Sequence, residues 1–169
     1  MDLKALQKLS YGMYVVSSKK GDKFNGQIAT TVFQVAAEPP IVGISINKQN
    51  LTHEFISDSK LFSVSVLSKD VQMPYIGLFG FKSGKTNDKF KECKFKVGNN
   101  GVPIALEYAI SYIECDVTGS YDAGTHTVFF GKVINSEVLN EKEPMTYEYY
   151  HNVKKGLSPK TAPTYIPKN

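Results

Sequence analysis

The sequence predicts a mainly β protein, a closed antiparallel barrel with a few short helices, on three observations. Six stretches, "MYVVSS", "GQIATTVFQVA", "IVGISI", "KLFSVSVLS", "YAISYIECDVTGSY" and "HTVFFGKVINSEVL", are rich in the β-branched and aromatic residues that suit a pleated surface. Turn chemistry punctuates them at Lys20-Gly21-Asp22, Glu38-Pro39-Pro40, Asn99-Asn100-Gly101 and Asp122-Ala123-Gly124. Few helical segments lie between, which argues against a parallel α/β sheet.

The elements follow in order. Leu3, Leu6 and Leu9 recur at helical spacing after Asp2 and predict a short amphipathic helix. Asn25-Gly26 predicts a tight turn or bend at the entry to a strand. "PPIVGISI" reads as a buried strand, and residues 50–57 as a helix entered directly from it. Phe62-Ser63-Val64-Ser65-Val66 alternates at period two, the pattern of a half-buried strand. A second helix is predicted over residues 73–79. Residues 1–156 form one domain on this reading, and 157–169, with Pro159, Pro163 and Pro167, form an extended tail.

Composition bounds the function. With 41% hydrophobic and 21% charged residues in 169, the chain fits one globular domain with a core of ordinary size. No apolar run approaches the roughly 20 residues that cross a bilayer. "MDLKALQKLS" has no secretory core, so a cytoplasmic protein is expected. Cys93 and Cys115 form no CxxC pair, which predicts reduced thiols with packing roles and no metal site. The net charge of +4 is mild and suits an anionic small ligand.

Four segments could carry chemistry. "NKQNLTHEFI" crowds Lys48, Asn50, Thr52 and His53 where a strand hands over to a helix start. Unpaired N–H groups and the helix dipole make an anion seat there; simple capping is the competing reading. "FNGQIATTVFQV" puts small and hydroxyl side chains on a β-rich strand, which leaves room for a flat ligand or simply makes a wet strand face. "LFGFKSGKTNDKF" contains a basic, glycine-containing loop around Ser83 and Lys85. In "DAGTHTVFFGKV", His126 stands at a strand start, as a surface residue or as a catalyst.

The order and spacing of these segments resemble the flavin reductase-like family of FMN-binding split barrels. Glu38-Pro39-Pro40 through Phe55 carries the resemblance most specifically, and "KSGK…DKF", "HTVFFGKV" and "SPKTAPTYI" extend it over residues 5–166. Nearest in pattern are flavoredoxin-type members and the subgroup whose flavin domain is joined to a C-terminal rubredoxin.

The resemblance implies a split barrel, FMN as cofactor and a homodimer. It sets Asn25, Gln27, Ile28, Ala29, Thr30 and Thr31 beside the flavin ring, and Ser45, Ile46 and Asn47 at the ring's polar edge. Lys48, Asn50, Thr52 and His53 would hold the phosphate. Ser83 and Lys85 would stand near the phosphate or the incoming nicotinamide, with Lys85 and His126 as the catalytic candidates and Tyr165 approaching the ring from the tail. Several relatives carry Trp where this chain has Thr31, and the chain has no Trp.

The function implied is passage of electrons from NAD(P)H, or a protein donor, through flavin to an acceptor such as a rubredoxin, expected here as a separate molecule. One alternative is a flavin reductase that releases reduced flavin. The other is a non-enzymatic oligonucleotide-binding barrel, supported by 20 Phe plus Tyr beside 20 Lys plus Arg. Its basic residues do not interleave with aromatics along a strand face, so nucleic acid is not an expected partner, and the lack of a long apolar run leaves membrane unexpected as well.

Overall fold

The computed structural model describes residues 2–165. Nine strands and three α-helices follow in the order β1 (Tyr14–Lys20), β2 (Lys23–Ala29), β3 (Val32–Ala37), β4 (Pro40–Asn47), α1 (Leu51–Ser59), β5 (Leu61–Leu67), α2 (Met73–Gly80), β6 (Phe95–Val97), β7 (Pro103–Ala105), β8 (Ala109–Ala123), β9 (His126–Val138) and α3 (Tyr147–Asn152). All four turns read from sequence sit at hairpins. Gly21, Gly101 and Gly124 take φ of 54°, 77° and 77°, which side chains rarely adopt.

Seven strands form one antiparallel sheet in the order β2-β1-β5-β8-β9-β4-β3. The edge strands β2 and β3 are consecutive in the chain. Only Thr30 and Thr31 join them, a link that reaches no more than about 11 Å, so the sheet must curl until its edges meet. The ladder does not close there, so the barrel is split, as the resemblance implies, rather than closed as strand spacing alone suggests. Ser45 N–H donates to Thr31 O at 3.2 Å, which carries the β3–β4 ladder one residue past Val32 and Ile44 to the split.

Both faces of the sheet are covered. Ile44, Ile46, Ile56, Phe62, Val64 and Phe129 fill the barrel with Ile56 of α1 entering at one end. Outside it, α2 and α3 lay Ile76, Phe79, Tyr147 and Tyr150 against Met13, Val15 and Leu67. Adjacent residues of β1, Val15 and Val16, therefore serve opposite clusters.

Four expectations are corrected. Asn25-Gly26 is not a turn but the middle of β2, opposite Ser18 and Ser17. Gly26 is there because a Cβ would lie 2.9 Å from Ser17 Oγ and 3.2 Å from the Phe79 ring. The serine face of β5 is not wet, since Ser63 and Ser65 are buried and Ser63 Oγ donates to Pro103 O at 2.7 Å. The N-terminal leucines form a 3₁₀ turn, Leu3–Lys8, rather than an amphipathic α-helix, with Leu6 and Leu9 exposed. Their spacing of three is the 3₁₀ period itself. The single strand expected from "GQIATTVFQVA" breaks at Thr30 and Thr31 into β2 and β3, and β6, β7 and α3 carry no signal in the sequence pattern. Beyond Asn152 no regular element occurs among the described residues, and residues 166–169 of the predicted tail lie outside them. Cys93 and Cys115 are free thiols, the latter buried.

Candidate functional site

The open seam of the barrel borders a cavity of about 330 Å³, where β2, the end of β4, the start of α1, the loop after α2 and the tail converge. Its floor is built from β4. Asn47 Oδ1 accepts the Gln49 N–H at 2.9 Å and Asn47 O accepts the Asn50 N–H at 3.0 Å, turning the chain out of the strand and into α1. Asn50 occupies the N-cap in an extended conformation (φ −81°, ψ 138°) without a side-chain capping bond. The first turn thus faces the cavity with its positive dipole end free of the usual internal oxygen.

β2 is locked to that turn. Asn25 Nδ2 donates to the buried Thr52 Oγ1 at 2.8 Å. Gly84 closes over the pair, because a Cβ on it would stand 2.0 Å from Asn25 Oδ1 and 3.1 Å from Leu51. The loop carrying Gly84 is folded on Ser83, whose Oγ accepts the Lys85 N–H and whose carbonyl accepts the Thr86 and Asn87 N–H groups. Lys85 is exposed at the rim and forms no ion pair among the described residues.

The cavity gathers eleven of the sequence-predicted residues: Asn25, Gln27, Ile28, Ala29 and Thr30 from β2 and its end, Ser45 and Asn47 from β4, Asn50 and Thr52 from α1, and Ser83 and Lys85 from the loop. The other six lie off its wall. Ile46 is in the barrel core. Thr31 gives its carbonyl to Ser45. Lys48 turns away to pair with Asp122 at 2.7 Å. His53 shares a hydrogen bond of 2.8 Å with Thr127 Oγ1 and leans on Phe129; burial first, then the nearby Lys48 charge, hold its pKa below the usual imidazole value. Tyr165 donates its N–H to Ala162 O.

His126 meets the cavity only through the tail. Its Nε2 lies 3.2 Å from Thr161 O, and Nδ1 lies 2.9 Å from Thr125 Oγ1. A carbonyl only accepts, so Nε2 carries a proton and donates it to Thr161 O. Residues 157–163 form one side of the cavity. Tyr150 Oη donates to Leu157 O at 3.0 Å and Tyr147 Oη pairs with Ser158 Oγ at 2.6 Å. Sequence reasoning missed both tyrosines, although "YEYYHN" spaces them three apart directly before the proline-rich segment. It also missed Lys89, a buried lysine of the cavity wall.

The model of the flavin reductase-like domain matches residues 6–158. The chain belongs to the flavin reductase-like family. This flavin reductase-like chain is 51% identical over 165 residues to the high molecular weight rubredoxin of Moorella thermoacetica, covering 98% of this chain and 72% of that one. It is 42% identical over 166 residues to the ferric-chelate reductase (NAD(P)H) of Archaeoglobus fulgidus, covering 98% of each. Among solved structures, the NADH:FAD oxidoreductase of Streptomyces globisporus superposes with a TM-score of 0.77 at 26% identity, over 84% of this chain and 83% of that one. The chain is thus a flavin reductase-like oxidoreductase.

The cavity of this family member fits a flavin on its own chemistry. Asn25 Oδ1, Gln27 Oε1, Thr30 Oγ1 and Thr31 Oγ1 are buried polar atoms without hydrogen-bond partners among the described residues, and three of the four residues line the cavity. Native proteins rarely strand such groups, so a ligand with donors and acceptors along one edge is their natural complement. Ile28, Ile76 and Phe79 supply the apolar wall a flat ring requires.

Proposed function

We propose that the protein is an FMN-dependent NAD(P)H oxidoreductase that passes electrons to an acceptor such as a rubredoxin. The observation that carries this reading is the run of stranded polar atoms from Asn25 to Thr31, set beside an uncapped helix start. Flavin supplies the hydride and electron chemistry when bound. Gln27 and Thr30 would bind the ring's polar edge, Ile28 would pack on its face, and the start of α1 with Ser83 and Lys85 would seat the phosphate. Residues 157–163 would exclude water from one side, held by Tyr147, Tyr150 and His126. His126 then acts as a positioning residue, through Thr161.

FMN is favoured over FAD because a volume of about 330 Å³ lies at the small end of ligand sites. Kinship with the Moorella protein supports a rubredoxin as acceptor, and kinship with the Archaeoglobus protein supports a ferric chelate. A homodimer is favoured by exposed apolar side chains on edge strand β3, Phe33 and Val35, and on β8 and β9, Tyr121 and Ile134. Light scattering that gives the mass of one chain at micromolar concentration would remove the dimer.

Absorbance spectra before and after NADH or NADPH, without oxygen, test the whole reading. A yellow protein that yields FMN on extraction, bleaches with a reduced nicotinamide and recovers its colour with oxidised rubredoxin is expected. A colourless protein that takes up no added FMN defeats it. The flavin-releasing alternative predicts that reduced flavin separates from the protein on anaerobic gel filtration.

A further inference from the structure

Lys89 opens the 3₁₀ turn Lys89–Glu92 and is 4% exposed. Its Nζ donates to Gly26 O at 2.8 Å, lies 3.4 Å from Phe79 O and stands 5.9 Å from the Phe79 ring centroid. Two carbonyls and a ring face ease the burial of an ammonium but leave its charge uncancelled. No acid cancels it. β2 and α2 contain no acidic residue, and Lys23 on β2 is itself a cation. On the 3₁₀ turn and its flank, Asp88 pairs with Lys91 and Glu92 with Lys82. Glu54 of α1 is taken by Lys20. Lys85, at the rim, adds positive charge.

We propose that Lys89 is the buried countercharge for the phosphate of the bound flavin. This rests on the reading of the cavity as the flavin site. Lys89 lines the cavity and is anchored on Gly26, the neighbour of Asn25, whose amide reaches Thr52 in the first turn of α1. That is the basic end of the cavity, with Ser83 and Lys85. Lys85 acts through solvent and is screened, whereas the same charge on Lys89 acts in a desolvated wall, where it is worth several times more.

A linked proton follows. Burial brings the Lys89 pKa down to about 8, so in the free protein the ammonium begins to lose its proton in mildly alkaline solution. A phosphate dianion alongside stabilises the charged form, and binding at alkaline pH draws a proton from solvent. Riboflavin, which has the ring and no phosphate, draws none.

Isothermal titration at pH 8.5, in two buffers of different ionisation enthalpy, reads this directly. Net proton uptake is expected with FMN and not with riboflavin. Lys89→Met is expected to weaken FMN roughly ten- to hundredfold more than it weakens riboflavin at pH 7, and to abolish the uptake. Equal weakening toward both flavins, or uptake that persists in the variant, overturns the proposal. If Lys89→Met does not fold, the wild-type titration decides alone, and no uptake with FMN overturns it. Failure of the wild type to bind either flavin strikes the cavity reading itself. Riboflavin bound as tightly as FMN overturns the proposal together with the phosphate seat at α1, and leaves the ring site standing.

Discussion

Asn25 Nδ2 donates to Thr52 Oγ1 across 2.8 Å of buried space, so one hydrogen bond joins the exposed edge of the sheet to the first turn of α1. The bond fixes the distance between the two walls on which ring and phosphate would lie. Thr52→Val keeps the shape and removes the acceptor, leaving a buried amide unpaired. The expected cost is about 1–3 kcal/mol of unfolding free energy in urea, with weaker FMN binding. Unchanged stability would mean that the amide finds another partner.

Gly84 tests the cavity roof with little effect on the core. An added Cβ meets the Asn25 carboxamide and Leu51, both fixed by their own packing, so the loop around Ser83 must lift. Gly84→Ala is expected to lower FMN affinity clearly while unfolding stability changes by no more than about 1 kcal/mol. Gly77, whose Cβ would meet nothing, is the matched control, and Gly77→Ala should leave affinity as it is.

What the sequence showed and hid follows from how each feature is encoded. The strand of Phe62 to Val66, the turn glycines and the polar handover after Ile46 are local patterns, and each element appears where it was read, although Ser63 and Ser65 turn out buried. Asn25-Gly26 misled because the dipeptide marks turns by composition, while here glycine answers a tertiary demand, the approach of Ser17 and Phe79. Lys48 and Lys85 look alike in sequence. Only the fold brings Asp122, 74 residues away, to Lys48 and leaves Lys85 free at the rim. Lys89 reads as one more surface lysine in a basic loop until Gly26 and Phe79 enclose it.

His126 holds the tail through a single hydrogen bond to Thr161 O. Its removal in His126→Ala should loosen residues 157–165 without unfolding the barrel. One neutral hydrogen bond contributes about 0.5–1.5 kcal/mol, so proteolytic cleavage in that segment should speed up roughly two- to tenfold. The variant should still take up FMN and turn yellow. Cleavage at the wild-type rate would show that Tyr147 and Tyr150 alone hold the tail.

Lys89 also gives the flavin-free protein an unusual alkaline response. An unfolded lysine titrates near 10.4 and the folded Lys89 near 8, so between these values the native state binds fewer protons than the unfolded one. Stability therefore rises with pH across that window through this group, with a slope approaching 1.4 kcal/mol per unit, and its contribution is flat below about pH 7. Urea unfolding at pH 7.5, 8.5 and 9.5 should show the rise in the wild type relative to Lys89→Met, which has nothing to titrate there. Excess FMN should flatten it, because the bound dianion keeps the ammonium charged. Parallel pH profiles for the two proteins would mean that Lys89 reaches solvent and keeps an ordinary affinity for its proton.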